Sequence, residues 1–319
     1  MLNRIRAAAL AFLSLIPACW GSSQGESPGV WQPSPGHTQI PIWPRAAPGL
    51  QPVPGAEVDS DGAVTNVTVP TMTVYTPTGN NSGTAVVVFP GGGFQILAID
   101  LEGTEACDWL TSRGVTCILL KYRVPSVPYV WQCDCRPHNR SISTPSLQDA
   151  QRTLRLARFH AKEWGFDPHR IGVLGFSAGG YLVAEVSTHF KSHLYAPVDG
   201  ADKESARPDF AVAIYPGHLA LAENSIALNP NIKSHITPEV PPTFLLQNED
   251  DHVDSVEDAL SYYMGLKAAN VPVELHSYAQ GGHAFGLRPS KLPVAGWPAL
   301  VEKWMETIGM TSLSTHSTP

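Results

Sequence analysis

The stretch "VLGFSAGGYL", residues 173–182, places Ser177 between glycines directly after a run of apolar and β-branched residues. Its central five residues, 175–179, have the form G-x-S-x-G. In this form a serine occupies a strained turn between a strand and a helix, where its hydroxyl is exposed as a nucleophile. The same letters also occur in ordinary glycine-rich bends, so the rest of the chain has to supply the partners that a nucleophile needs.

The chain around this turn alternates apolar runs with amphipathic segments. Two early segments, residues 64–70 and 72–77, alternate apolar and polar residues as exposed strands do. Later apolar runs have the length of strands that are covered on both faces: residues 84–90, 115–122, 170–176, 210–216 and 243–248. Helices are predicted between them. This order predicts an α/β fold with a mostly parallel sheet, helices on both faces and antiparallel N-terminal edge strands.

Two of the predicted helices have a readable apolar face. In residues 146–164 the apolar positions step by three and four, at Leu147, Ala150, Leu154, Ala157 and Ala161. The opposite, solvated face is expected to carry Arg152, Arg155 and Lys162. Residues 255–270 open with a capping-box pattern, Ser255 and Asp258, and are expected to bury Val256, Leu260 and Met264.

A serine hydroxyl needs a general base, and that base needs an acceptor that holds it in one tautomer. His283 lies in a glycine-flanked loop, "AQGGHAF", after the last predicted strand, "VELHSY" at residues 273–278. His276 lies within that strand, and His252 follows a group of acids. The position of His283 predicts that it is the base.

The acceptor is expected among acidic residues that follow the predicted strand 243–248. Four carboxylates compete there: Glu249, Asp250, Asp251 and Asp254. Periodicity does not choose among residues of a loop, so the four remain alternatives at this point. At most one of them is expected to be catalytic, and the others are expected to be solvated surface charges.

A third requirement is a set of donors for the oxyanion of an acyl-transfer intermediate. The segment "VVVFPGGGFQ", residues 86–95, follows an early predicted strand with three glycines that leave backbone N–H groups accessible. Together with the N–H of Ala178, just after the candidate nucleophile, this loop could bind an oxyanion. A plain tight turn is the alternative interpretation of the three glycines.

Five motifs together resemble a known family. "PGGGF" (90–94), "YRVP" (122–125), "DPHRIGVLGFSAGG" (167–180), "DDHV" (250–253) and "GGHAFGL" (281–287) look like the secreted bacterial α/β-hydrolases of the acetyl-xylan-esterase and feruloyl-esterase-like group, relatives of the hormone-sensitive-lipase-type esterases. The resemblance extends over about residues 30–310. It implies an α/β-hydrolase fold with the catalytic residues Ser177, Asp251 and His283. It further implies oxyanion donors at Gly92, Gly93 and Ala178.

The resemblance also implies a chemistry. Such a protein would be a serine ester hydrolase without cofactor or metal, acting on a small ester or on acetyl groups of a polysaccharide. Pro90 stands where lipase-type relatives have histidine, and no long apolar lid is evident, so a lipid substrate is not expected. Candidate substrate contacts are Phe94, Tyr129, Trp131 and His218.

Two other functions remain open. One is a serine exopeptidase of the prolyl-oligopeptidase type, although such enzymes usually carry an additional domain that selects peptide ends. The other is a hydrolase-fold binding protein without activity, although such proteins typically lack one member of the catalytic triad. All three candidate members occur in this chain.

Charge argues against two classes of partner. The chain of 319 residues has a formal net charge of −7 and no run of Lys or Arg. Neither nucleic acid nor an anionic membrane is therefore expected as a partner. Its size and its 43% hydrophobic residues suit one large globular domain with an extension.

The N-terminus has the layout of an export signal, with Arg4 and Arg6 ahead of an apolar run. Residues 1–23 are therefore predicted to be a secretory signal peptide and the protein to be secreted or periplasmic, with a lipid anchor at Cys19 as the alternative. The other predicted regions are a proline-rich arm packed on the body (24–56), the catalytic domain (57–311) and a flexible tail (312–319).

Four cysteines follow the predicted signal: Cys107, Cys117, Cys133 and Cys135. In an exported chain they could form up to two disulfides, and the sequence leaves their pairing open. The spacing of "CDC" does not match the separated ligand pairs of a structural zinc site. No metal site is predicted.

Overall fold

The computed structural model describes residues 29–49, 55–124 and 144–311. Several predictions lie outside these described residues. They concern the signal 1–23 with Cys19, the candidate substrate contacts Tyr129 and Trp131, the cysteines Cys133 and Cys135, and the tail 312–319.

Strands and helices alternate through most of the described chain. The strands are β1 (Ile40–Pro41), β2 (Val58–Ser60), β3 (Ala63–Thr65), β4 (Thr71–Tyr75), β5 (Ala85–Phe89), β6 (Ile96–Ala98), β7 (Thr116–Lys121), β8 (Ile171–Phe176), β9 (Phe210–Ile214), β10 (Thr243–Asn248) and β11 (Val273–Tyr278). The α-helices are α1 (Glu105–Ser112), α2 (Thr144–Trp164), α3 (Ala178–Thr188), α4 (Pro230–Lys233), α5 (Val256–Ala268) and α6 (Trp297–Thr307). Short π- and 3₁₀-helical segments occupy Asp100–Thr104, Gly200–Lys203 and Pro293–Gly296.

Eight strands form the central sheet, in the order β1-β4-β7-β5-β8-β9-β10-β11. The pairs from β7 to β11 along this order are parallel, whereas β1 pairs with β4 and β4 with β7 in antiparallel orientation. Strands β2, β3 and β6 form a small separate antiparallel sheet. The predicted α/β fold, with a mostly parallel sheet and an antiparallel N-terminal edge, is confirmed.

The five inner strands β5, β7, β8, β9 and β10 are buried along their whole length. Helices therefore cover both faces of the sheet, as the continuous apolar runs predict. Helix α2 packs against α3, and α1 meets α6 where the rings of Trp109 and Trp297 lie 5.3 Å apart. The carboxyl ends of the parallel strands meet at one edge of the sheet, which is where ligands bind in open α/β sheets.

The N-terminal strands differ from their prediction in extent and burial. In the segment 64–70 only the end of β3 and an isolated bridge between Val67 and Val124 are paired, and Asn66 between them adopts a left-handed φ of 54° that interrupts the strand. Strand β4 is almost wholly buried, although an exposed strand is predicted at residues 72–77. It pairs with β7 along its whole length and with β1 at Thr71 and Met72.

The proline-rich arm is packed on the body. Trp31 and Trp43 are buried, and β1 of the arm adds an edge strand to the central sheet. The indole N–H of Trp43 donates a hydrogen bond of 2.8 Å to Asp149 on α2. Asp149 is fully buried and also pairs with Arg123, so the arm supplies one of the donors that make this buried charge tolerable.

The prediction of a solvated arginine face on α2 is wrong for Arg152 and Arg155. Both side chains are buried, whereas Lys162 is exposed. Arg152 donates to the carbonyl of Ile42 in the arm and pairs with Asp199 and Asp202. Periodicity cannot reveal this cover, because the partners come from distant parts of the chain.

The predicted buried face of α5 is also wrong. Met264 is 52% exposed and Val256 and Leu260 are half-buried. The helix instead buries the face that carries Asp258, Ala259, Ser261, Tyr262 and Leu266. Ser255 is the N-cap residue, but its side chain caps no N–H. Asp258 accepts a hydrogen bond from the N–H of Ala220, a tertiary contact that turns this face inward.

Cys107 on α1 and Cys117 on β7 form a disulfide, and both residues are fully buried. The bond ties a helix to the strand that follows it. Within the described residues, no helix combines the length and the apolar character needed to cross a bilayer.

Candidate active site

Ser177 lies on a strained turn between β8 and α3. Its φ and ψ are 53° and −119°, a conformation that costs a non-glycine residue about 1–3 kcal/mol. Two glycines make the turn sterically possible. A Cβ on Gly175 would come within 2.1 Å of the carbonyl oxygen of Gly179, and a Cβ on Gly179 within 2.0 Å of that of Phe89. The turn thus has the geometry of a nucleophile elbow.

His283 links Ser177 to Asp251. Its Nε2 lies 2.9 Å from Ser177 Oγ, and its Nδ1 lies 2.7 Å from Asp251 Oδ2. A carboxylate at Nδ1 favours the tautomer that carries its proton there, which leaves Nε2 free to accept the serine proton. The structure therefore brings together the nucleophile, base and acid that the sequence motifs name.

Asp251 is held by four donors, two on each oxygen. Oδ1 accepts from the backbone N–H groups of Val253 and Asp254, at 2.9 and 3.1 Å. Oδ2 accepts from Gln247 Nε2 at 2.9 Å and from His283 Nδ1. The carboxylate is 5% exposed, so these donors replace water as its solvation and fix its orientation.

Asp250 is not the solvated surface charge that the sequence analysis expects. Its Oδ1 accepts from the backbone N–H groups of Gly281 and Gly282, at 2.9 and 2.8 Å. These two glycines directly precede His283, so Asp250 holds the loop that carries this histidine. Glu249 is exposed, as expected.

Asp254 is a second departure from that expectation. It is 6% exposed and lies in the wall of the same pocket as Ser177. Its Oδ2 is 3.5 Å from Ser177 Oγ and 3.8 Å from His283 Nε2. Two carboxylates therefore lie near the imidazole, one at each nitrogen.

The glycine-rich loop after β5 faces Ser177 across the pocket. Gly92 and Gly93 have φ values of 122° and 63° and line the pocket, and Ala178 begins α3. Within the described part of the chain, no acceptor pairs with the N–H groups of Gly92, Gly93 or Ala178. These three N–H groups are therefore available to an oxyanion. The N–H of Gly91 is occupied, because it donates to Glu102 Oε2 at 2.7 Å.

Glu102 is a residue of the site that the sequence analysis misses. It is 2% exposed, and its Oε1 accepts from the hydroxyl of Tyr215 at 2.8 Å. The Tyr215 ring lies 4.8 Å from the ring of His283. Burial raises the pKa of Glu102, against the opposing effects of the Tyr215 and Gly91 hydrogen bonds and the nearby His283. Glu102 thus connects the glycine-rich loop after β5 with Tyr215, whose ring packs on His283.

Replacing Glu102 by alanine should lower kcat by about 10- to 100-fold with little change in KM, because the loop and Tyr215 lose a shared acceptor. Glu102→Gln should retain more activity, since a glutamine oxygen can still accept from Gly91. Steady-state kinetics with an aryl acetate and thermal denaturation test this. The matched control is Glu105→Ala, which removes an exposed pair with Arg288. A loss no greater than in that control would contradict the role of Glu102.

The pocket above Ser177 is small and largely apolar. Its volume is about 260 Å³, and Ala98, Leu101, Val253 and Ala284 form much of the wall. His218 also lines it, so the structure brings this predicted substrate contact to the site. Phe94 is 2% exposed and packs against Tyr122 and Tyr181 instead, and the following residue, Gln95, takes the place on the wall.

Three nearby carboxylates affect the pKa of His283. Burial of the ring lowers its pKa, but the hydrogen bond to Asp251 and the charges of Asp254, Asp251 and Glu102 outweigh this effect and raise it. The site therefore stabilises the imidazolium that forms when the base takes a proton. Among the described residues, no group of three or more His, Cys, Asp or Glu side chains has the arrangement of a metal site.

Comparison with known proteins places this fold and site in a family. A family model described as alpha/beta hydrolase fold matches residues 144–287, and one described as BD-FAE matches residues 72–215. A solved structure, the acetyl ester-xyloside bifunctional hydrolase from Caldicellulosiruptor lactoaceticus, is 34% identical with a TM-score of 0.70. The match covers 86% of this chain and 97% of that one. The chain belongs to the α/β-hydrolase family, and the resemblance drawn from the motifs is confirmed.

Two curated relatives add more distant matches. The chain is 28% identical over 229 residues to the acetylxylan esterase of Xylanibacter ruminicola, covering 65% of this chain and 42% of that protein. It is 23% identical over 247 residues to endo-1,4-beta-xylanase B of Butyrivibrio fibrisolvens, covering 72% and 36%. The chain thus spans about two fifths of the length of these relatives.

Proposed function

We propose that the protein is a serine carboxylic-ester hydrolase that removes short acyl groups, chiefly acetyl, from acylated carbohydrate. The observation that carries this proposal is the relay from Ser177 Oγ through His283 to Asp251, with distances of 2.9 and 2.7 Å. The names of the similar proteins, an acetyl ester-xyloside hydrolase and an acetylxylan esterase, support acetylated xylan as the substrate to test first.

The first half of the proposed reaction forms an acyl-enzyme. Ser177 Oγ attacks the ester carbonyl carbon while His283 Nε2 takes the hydroxyl proton. The carbonyl oxygen becomes an oxyanion that the N–H groups of Gly92, Gly93 and Ala178 stabilise. When the intermediate collapses, the ester C–O bond breaks and the imidazolium gives its proton to the departing alcohol.

The second half regenerates the enzyme. A water takes the place of the alcohol and loses a proton to His283 Nε2 as its oxygen attacks the acyl carbon. The bond to Ser177 Oγ then breaks, and the serine takes back the proton as the carboxylic acid leaves. Throughout both halves Asp251 keeps the Nδ1 proton in place and offsets the positive charge on the ring.

The decisive experiment compares acetate release from acetylated xylan with cleavage of aminoacyl arylamides. The full chain should release acetate and leave the arylamides intact, and Ser177→Ala should do neither. Faster cleavage of arylamides would instead favour the exopeptidase interpretation. Activity on neither substrate, nor on an aryl acetate, would favour a binding protein.

Acyl length should limit turnover. We expect kcat/KM to be at least about tenfold lower for 4-nitrophenyl octanoate than for the acetate, because one methylene that a pocket does not accommodate changes specificity by about 10–200-fold. The pocket of about 260 Å³ above Ser177 motivates this expectation. A series of aryl esters of increasing chain length measures it, and a rate that rises with chain length would contradict it.

The pH profile should show a single acid limb. His283 must be neutral to accept the serine proton, so kcat/KM should rise with pH as the imidazolium deprotonates. Because the site raises the pKa of His283 above its ordinary value of 6.5, the midpoint of this rise should lie above pH 6.5. Hydrolysis of an aryl acetate between pH 5 and 9 measures it. A flat profile over pH 5–8 would exclude a histidine base.

We also propose that the chain is exported. The basic and apolar layout of residues 1–23 supports this, and the disulfide between Cys107 and Cys117 is of a kind that persists in oxidising compartments. N-terminal sequencing of protein recovered from the periplasm or medium should begin after Gly21 or Ser23. A lipidated Cys19 at the new terminus would support the anchored alternative, and an intact leader on cytoplasmic protein would contradict export.

A further inference from the structure

The proposed catalysis gives no role to Asp254. This carboxylate lies on the pocket wall, 3.5 Å from Ser177 Oγ, which is longer than an ordinary O–H···O hydrogen bond. The serine proton instead faces His283 at 2.9 Å. Asp254 therefore faces the space that the substrate enters rather than completing the relay.

The position of Asp254 is built into the fold. Its backbone N–H donates to Asp251, and its carbonyl accepts from Gln247 Nε2 at 2.7 Å. Its carboxylate lies so close to the backbone of Gly217 that a Cβ there would come within 2.4 Å of Oδ1. The glycine therefore leaves room for the carboxylate at the nucleophile.

A carboxylate in this place opposes part of the chemistry. Negative charge develops on the substrate as Ser177 attacks, and a fixed negative charge a few ångströms away disfavours it. The oxyanion donors Gly92 and Gly93 are on the loop that faces Ser177, which leaves the region next to His283 Nε2 for Asp254. A carboxylate is favourable there if the substrate brings a donor to it.

We propose that Asp254 is a specificity-determining residue that accepts a hydrogen bond from a free hydroxyl beside the ester in the alcohol part of the substrate. The site would then prefer partially acylated polyols over esters of simple alcohols. This inference rests on the proposed ester hydrolysis and names the feature of the substrate that the site recognises.

The distances bring the alcohol part of the substrate within reach of Asp254. The departing oxygen must come within about 2.6–3.2 Å of His283 Nε2 to receive its proton. Asp254 Oδ2 lies 3.8 Å from the same nitrogen. A hydroxyl on the carbon adjacent to the ester oxygen is therefore within reach of Oδ2. A hydrogen bond to an ionised carboxylate is stronger than one between neutral groups.

The test uses two acetates that differ in one hydroxyl: trans-1,2-cyclohexanediol monoacetate and cyclohexyl acetate. Both are assayed with the full chain and with Asp254→Ala, at a pH above the acid limb of each enzyme, so that His283 is neutral throughout. We expect Asp254→Ala to lower kcat/KM for the diol monoacetate by about tenfold more than for cyclohexyl acetate. Asp254→Asn, which keeps one acceptor without the charge, should lie between.

Glu249→Gln is the matched control, because it removes an exposed carboxylate from the same turn. Glu249→Gln should leave kcat/KM unchanged for both substrates. Equal losses on both acetates in Asp254→Ala and Asp254→Asn would overturn the inference, since Asp254 would then act on His283 or on water. If Asp254→Ala does not fold, the ratio in Asp254→Asn decides alone. A wild-type chain inactive on both acetates and on an aryl acetate would contradict the proposed function itself.

Discussion

Ser177→Ala should lower kcat for ester hydrolysis by about 10⁴- to 10⁶-fold while the chain remains folded, as in other enzymes that lose a triad nucleophile. The loss is large because no acyl-enzyme can form without Oγ. Folding should be retained because, in the described structure, the hydroxyl bonds His283 and has only a long contact of 3.5 Å with Asp254. Kinetics with an aryl acetate, together with thermal denaturation, measures both effects.

A serine on the helix that follows Ser177 offers a control. Ser187 on α3 is fully buried, and no described residue bonds its hydroxyl. Ser187→Ala should therefore keep wild-type turnover. A fluorophosphonate should label the wild-type chain at Ser177 and leave Ser177→Ala unlabelled. A label on another serine, or turnover near the wild-type rate in Ser177→Ala, would refute the assignment of the nucleophile.

Asp251→Asn should lower kcat by about 10²- to 10⁴-fold with little change in KM, because the interaction acts mainly in the transition state. Both carboxylate oxygens accept hydrogen bonds, so the amide nitrogen of asparagine would face two donors in either orientation. If the amide nitrogen faces Gln247 and His283, it turns the imidazole to the tautomer in which Nε2 carries the proton. If it faces Val253 and Asp254, two backbone N–H groups lose their acceptor. Either orientation should also cost about 1–3 kcal/mol of stability.

Steady-state kinetics and thermal denaturation test this prediction by comparing Asp251→Asn with variants of the adjacent acids Asp250 and Glu249. Asp250→Asn keeps an oxygen for the N–H groups of Gly281 and Gly282 and should cost less than about tenfold in kcat. Glu249→Gln should change neither kcat nor thermal stability. If Asp250→Asn loses most of its kcat and Asp251→Asn keeps nearly all of it, the assigned acid is wrong by one residue.

The sequence predicts the inner strands of the sheet because strands that are buried on both faces consist of continuous apolar residues. Strands β5, β7, β8, β9 and β10 all follow continuous apolar runs. The edges are less predictable. Strand β4 is predicted to be half-exposed, whereas the structure buries four of its five residues. Strand β1 has only two residues, which is too short to show periodicity, so the sequence does not predict its pairing with β4.

The errors on the helices have one common cause. Arg152 on α2 is predicted to lie on the solvated face and Asp258 on α5 in a capping box, because local pattern assigns charged residues to solvent or to helix ends. Each is buried because a distant partner satisfies it, Asp199 for the arginine and the N–H of Ala220 for the aspartate. Such pairs depend on the tertiary fold, which local pattern does not contain.

The candidate site was predictable to a similar degree. Ser177, Asp251 and His283 follow from turn chemistry, strand order and the family motifs, and the structure brings their side chains into contact. Glu102 and Asp254 were not predictable as site residues. Glu102 stands among other acids, Asp100 and Glu105, in the stretch that follows the glycine-rich loop, and no local signal distinguishes it from them. Asp254 is indistinguishable in sequence from the acids beside it.

The hydrogen bond from Trp43 to Asp149 has a practical consequence for anyone shortening this chain. A fragment that starts at residue 57 would lose β1 and would leave a buried carboxylate short of one donor. It would also remove the carbonyl of Ile42 that receives Arg152. Tags and protease sites therefore belong upstream of residue 29, and the shortest fragment worth expressing retains the segment from Trp31 to Trp43.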